Sequence, residues 1–143
     1  MKKRAGFTVI EILIVAVVLF GASGLFLYEK NHIQATNRDE RRKADINTLY
    51  YNLEKIYYVQ HNSYPRELTA ATLSAVQPDT FKDPDGIAVN ESKVENAGLS
   101  ALQSTYHYEP TGCSGDTCTG YTLRADMQQE SDYVKKSDHP TKK

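Results

Sequence analysis

Residues 6–28 read GFTVIEILIVAVVLFGASGLFLY, and Lys2, Lys3 and Arg4 precede them with no acid among them. From Phe7 to Tyr28 the run is apolar except for Thr8, Glu11, Ser23 and the glycines Gly21 and Gly24. Its 22 residues make a helix about 33 Å long, against a bilayer hydrocarbon core of about 30 Å. The basic triplet belongs on the cytoplasmic side by the positive-inside rule, which sends the rest of the chain outward.

Three readings compete for this segment. A secretory signal peptide has a basic start, an apolar run and a small-residue site, here Ala22-Ser23-Gly24. An ordinary membrane anchor needs only the length. A third kind of leader is removed ahead of the apolar run rather than behind it. Glu11 separates them. A carboxylate at mid-bilayer costs about 2–3 kcal/mol, less near the cytoplasmic end, and an ionisable residue in such a place calls for a partner. Neither a signal peptide nor a simple anchor gains anything from it.

Gly6-Phe7-Thr8-Val9-Ile10-Glu11 resembles the processing motif of type IV pilins and type II secretion pseudopilins. The resemblance implies that a prepilin peptidase in the inner membrane cuts between Gly6 and Phe7 and methylates the new terminus. It also supplies the partner for Glu11, the Phe7 ammonium of the same or a neighbouring subunit. Two charges out of water are tolerable when paired and costly when alone, so the pair favours assembly and sets the axial register. The fold implied is α+β: the pilin fold, a long N-terminal helix with a membrane-spanning first half, packed on a small antiparallel sheet. Residues 1–6 are then the leader, 7–28 the hydrophobic transmembrane and assembly helix, and 29–130 the head with the second half of the helix. Residues 131–143, without an apolar face, are expected as a mobile tail. Many relatives carry a proline in the first half of the helix. Here none lies between Phe7 and Tyr64, so any kink rests on Gly21 and Gly24. Each weakens a helix by up to about 1 kcal/mol relative to alanine and lets backbones approach closely.

Beyond Tyr28 the chain turns polar, with tyrosine as its main large side chain. Residues 37–43, NRDERRK, read as a solvated stretch. Ile46, Leu49, Tyr50, Leu53, Ile56, Tyr57 and Gln60 recur at three- and four-residue steps and predict one helical face. One helix is expected from Phe7 to about Gln60, stopping near Asn62-Ser63, because Tyr64 before Pro65 is pushed out of helical geometry. This Tyr-Pro end resembles that of pseudopilin helices. A short helix is expected over Leu68–Val76 and a turn over Lys82–Gly86. Ser104–Glu109 and Gly120–Ala125 read as strands, with Tyr106 and Tyr108 on one face of the first. Tyr121, Leu123 and Ala125 share one face of the second, opposite Thr122 and Arg124.

Cys113 and Cys118, alone in a turn-rich loop, predict a disulfide in an oxidising compartment. They are not a zinc pattern, since no second pair exists and the four histidines are scattered. No catalytic constellation or phosphate loop is present, so the expectation is not an enzyme and no required cofactor. An EF-hand fails around Gly86 because Phe81 and Ser92 fall at key ligand positions. A looser calcium site would draw on Asp83, Asp85 or Asp116. Asn90-Glu91-Ser92 matches a glycosylation sequon, a pattern common by chance. Without the basic triplet, 14 basic face 18 acidic residues, which argues against nucleic-acid binding by bulk charge.

The function expected from the resemblance is a structural filament subunit. It would be held in the inner membrane as a single-pass precursor with its head outside the cytoplasm. Its partners are copies of itself, other pilins and the assembly machinery. The alternatives are a type II secretion pseudopilin, a minor pilin that contacts DNA or a surface, and a membrane-anchored protein that forms no filament. Mass spectrometry of the mature protein is expected to show a chain that starts at a methylated Phe7. A chain starting at Leu25 would establish a secretory signal peptide instead.

Overall fold

A computed structural model describes residues 8–94 and 101–139. The chain divides into two units, Met1–Thr36 and Asn37–Lys143. The fold is α+β, as expected: a long amino-terminal helix and small antiparallel sheets. Helix α1, Val9–Asn52, is free of proline throughout. A π-helical turn follows over Leu53–Tyr57, and α2, Tyr58–His61, completes the helical run. The uniform helix expected to Gln60 is therefore interrupted. The wider turn brings three consecutive residues inward, with Asn52, Leu53 and Glu54 all buried.

The run ends where expected. Asn62 takes a left-handed conformation, φ 51°, and its N–H reaches Tyr58 O at 2.7 Å. Asparagine tolerates that conformation better than most residues. Tyr64–Pro65 then forms β1.

In the second unit, β2 (Ser92–Lys93) pairs with β3 (Leu102–Gln103), while β4 (Tyr106–Thr111), β6 (Gly120–Ala125) and β7 (Tyr133–Lys136) form one antiparallel sheet in the order β4-β6-β7. Strands β4 and β6 follow the alternation in the sequence. Tyr106, Tyr108, Tyr121, Leu123 and Ala125 are buried, while Thr122 and Arg124 are half-exposed. Ile46, Leu49 and Leu53 on the helix join them in one core. Each such aliphatic side chain contributes about 1.5–3 kcal/mol on full burial. The outer edge of β4 is closed by Asn90, whose Nδ2 donates to Tyr108 O at 2.7 Å and whose Oδ1 accepts from Tyr108 N at 2.9 Å. The amide nitrogen of the sequon is thus committed to the backbone.

Three further expectations are corrected. Leu68–Val76 forms turns, not a helix. The Thr72 hydroxyl accepts from Thr69 N at 2.9 Å and the Thr69 hydroxyl from Thr72 N at 3.3 Å, so side chains take backbone groups that helical bonds would use. Leu68, Leu73 and Val76 are nevertheless buried. The expected tail, 131–143, supplies strand β7, paired with β6 from Thr122↔Lys136 to Ala125↔Tyr133; residues 140–143 lie outside the described residues. The run 37–43 is not uniformly solvated, because Asp39 and Arg42 are each 1 % exposed. They continue the three-and-four spacing of Ile46, Leu49 and Leu53 backward along the helix.

Glu54, on the π turn, is the acceptor on which the head closes. Tyr64 Oη donates to it at 2.9 Å, Tyr121 Oη at 2.8 Å and Asp138 N at 3.2 Å. Burial, and then these bonds to Glu54, push the Tyr64 and Tyr121 hydroxyls well above the usual phenol range. Beside them Tyr50 Oη donates to Asp138 Oδ1 at 2.6 Å, and chiefly that bond pushes its hydroxyl up to about 12. A buried donor without an acceptor costs about 1–3 kcal/mol. Glu54→Leu is therefore expected to lower the stability of the head by at least about 3 kcal/mol. Urea unfolding of the full chain in micelles, followed by the near-ultraviolet dichroism of its tyrosines, measures this. An unchanged midpoint would show that the carboxylate is dispensable.

Candidate functional site

Within the first unit, every residue from Thr8 to Tyr28 is exposed except Ala16, which is half-buried. Val9 is 80 % and Phe20 83 % exposed. A helix apolar on all sides is stable only where something apolar surrounds it. Among the described residues, this is the one helix long and apolar enough to cross a membrane. It is compatible with a membrane anchor.

Gly6 and Phe7 lie outside the described residues. Glu11 opens the helix. Thr8 N donates to Glu11 Oε2 at 3.4 Å, and Glu11 N donates to Thr8 Oγ1 at 3.4 Å. This is a reciprocal capping box, in which the Glu11 N–H also donates to Thr8 O at 3.1 Å. It holds the carboxylate at the positive end of the helix dipole, on the N–H of Thr8. The signal for the box lies in the Thr-x-x-Glu spacing of Thr8 and Glu11. Ser23 satisfies itself by donating to Leu19 O at 2.7 Å. A Cβ added at Gly21 or Gly24 would meet nothing within 4 Å. Nothing among the described residues requires glycine at either position.

The other singled-out residues fall in the head. Cys113 and Cys118 are bonded, as expected. β5, Thr117–Cys118, pairs with β1, Tyr64 lying opposite Cys118, so the bridged loop is tied to the end of the helix. Arg66 reinforces this, donating from Nη1 to Gly115 O and from its backbone N to Asp116 O, both at 3.1 Å. The candidate calcium ligands are not brought together. Asp83 is buried and accepts from Asp85 N, Ile87 N, Thr105 N and Thr105 Oγ1 at 2.9–3.2 Å. Asp85 faces Arg38 at 3.1 Å. Among the described residues no cluster of three or more His, Cys, Asp or Glu could hold a metal.

Sequence reasoning missed a polar clasp between the helix and the sheet. Asp39 receives Arg42 Nη1 at 2.7 Å and the backbone N–H groups of Gln128 and Gln129 at 2.8–3.0 Å. Arg42 Nε donates in turn to Thr105 Oγ1 at 3.3 Å, and Thr105 binds Asp83. The signal lay in the spacing, since Asp39 and Arg42 share the face of Ile46 and Leu49.

Comparison of the chain with family models, curated proteins and solved structures gave no match.

Burial pushes the Asp39 carboxyl up, but the two backbone N–H groups and Arg42 together outweigh it and hold it below its ordinary value of 3.8. A depressed carboxyl stabilises the fold above its unfolded value, and that contribution disappears as the pH falls through the folded value. Asp39→Asn is therefore expected to lower the melting temperature at pH 7 and to flatten its fall between about pH 5 and pH 2. Melting curves of both proteins across that range provide the check. Parallel pH profiles would mean that Asp39 carries none of the acid sensitivity.

Proposed function

We propose that the chain is a structural subunit of a type IV pilus-type filament. Prepilin peptidase cuts it after Gly6, and it polymerises through the helix that begins at Phe7. The observation that carries this reading is the apolar surface of Val9–Tyr28, exposed all round, with one carboxylate at its start. Lipid covers that surface in the inner-membrane precursor, and the same helices of neighbouring subunits cover it in the filament. The capping box directs Glu11 to the end where cleavage leaves an ammonium. The open space at Gly21 and Gly24 is where a neighbour's backbone can come close. Other pilins and the assembly machinery are the remaining partners, and the head stands outside the cytoplasm, where the disulfide persists.

A type II secretion pseudopilin is the second reading, favoured by the Tyr64-Pro65 helix end and the small head. A minor pilin that binds DNA draws no support from the mildly acidic head.

Glu11→Leu tests assembly apart from insertion. It removes the only charge of the apolar run, so membrane partitioning holds or improves. Inside a filament it leaves a neighbour's ammonium without a partner, at several kcal/mol per subunit. Sheared filament yield is expected to collapse while cleaved protein stays in the membrane fraction. Normal yield from a cleaved mutant would sink the pairing.

A further inference from the structure

A cavity of about 490 Å³ opens between the π turn with α2 and the turns at Ala71–Ala75, within the ~300–1,000 Å³ of small-molecule sites. In a chain that is 24 % charged, none of its lining residues is Asp, Glu, Lys or Arg. Glu54, the nearest acid on the helix, is turned into the core by the π turn and held there by Tyr64 and Tyr121. Ile56, Leu73 and alanines supply apolar wall; Asn52, Gln60 and His61 supply polar groups.

Two of those polar groups are left over by the fold. Asn52 is 8 % exposed, and its Nδ2 donates to Thr48 O at 2.8 Å. Its Oδ1 has no hydrogen bond among the described residues. His61 stacks on Tyr57, with ring centroids 4.2 Å apart, and its Nδ1 lies 3.0 Å from Tyr57 O. A carbonyl only accepts, so Nδ1 carries the proton and Nε2 of the neutral ring is left as an acceptor. The site thus offers acceptors at Asn52 and His61, amide donors at Gln60, and aromatic and aliphatic walls. It offers no fixed charge to pair with an ionic ligand.

We propose that this cavity binds a neutral saccharide, a mono- or disaccharide or the end of a glycan. Its hydroxyls donate to Asn52 Oδ1 and His61 Nε2, and its C–H faces lie on Tyr57 and Ile56. A charged sugar is disfavoured, because desolvating a charge without a partner is costly.

The test uses the full chain in dodecylphosphocholine micelles, because glycoside detergents carry competing sugars. The probes are the methyl glycosides of glucose, galactose and N-acetylglucosamine, with lactose and the neutral peptide N-acetyl-glycyl-glycinamide. The side-chain amide signals of Asn52 and Gln60 are followed by NMR. At least one sugar is expected to shift both, saturably, in the millimolar range. Gln60→Ala, at an exposed position, is expected to weaken binding at least threefold. Ala71→Trp, also at an exposed position, fills the mouth and abolishes binding while the core spectrum stays unchanged. Three results overturn the proposal: no sugar shifts either amide; Ala71→Trp binds as the wild type does; or the peptide binds as well as the best sugar, which would reassign the cavity to polypeptide.

Discussion

Three carboxylates, Asp39, Glu54 and Asp83, are each 1 % exposed, and a carboxylate is buried only where donors replace the water it loses. That constraint organises the head. Glu54 draws in two tyrosine hydroxyls and the N–H of Asp138. Asp39 takes two successive N–H groups beyond β6 together with Arg42. Asp83 closes its own turn and reaches Thr105 at the foot of β4. Segments far apart in sequence are thus tied to the helix through directional bonds, which specify register in a way that aliphatic contacts alone do not. The choice of tyrosine over phenylalanine in this core follows from the same need. Tyr64, Tyr106, Tyr108 and Tyr121 bring apolar rings, and each hydroxyl ends on an acceptor: Glu54 for Tyr64 and Tyr121, Asp45 for Tyr106, and Pro65 O for Tyr108.

The amino-terminal stretch follows a different pattern. Its polar side chains satisfy themselves within the helix, Ser23 on Leu19 O and Thr8 with Glu11, which suits surroundings without water. Its apolar side chains are exposed among the described residues. The proposed filament follows from that contrast. A surface that cannot stay in water, and that bears one ionisable group at its start, has a reason to pass from lipid to neighbouring helices if a matching charge comes with the neighbour.

Much of the architecture was legible because it rests on periodicity. The three-and-four spacing of Ile46, Leu49 and Leu53 and the alternation from Tyr121 to Ala125 gave the helix face and the central strand. Tyr64-Pro65 marked the helix end, and two isolated cysteines marked the bridge. Leu68–Val76 failed because threonine hydroxyls compete for the backbone, an effect that an apolar count does not register. Tyr133–Lys136 failed because an edge strand needs only one good neighbour. Its own apolar content is slight, and β6 supplies the pairing.

The sequence by itself determined the apolar segment with its single carboxylate, the helix and its stop, strands β4 and β6 and the disulfide. These follow from composition, spacing and local backbone restriction, which act over a few residues. Tertiary structure alone decided the π turn, the burial of Asp39, Arg42, Glu54 and Asp83, and the recruitment of residues 133–138. Whether a charge can leave water depends on donors that arrive from distant parts of the chain. Asp39 meets Gln128, and Glu54 meets Tyr121 and Asp138, only after the sheet has folded against the helix.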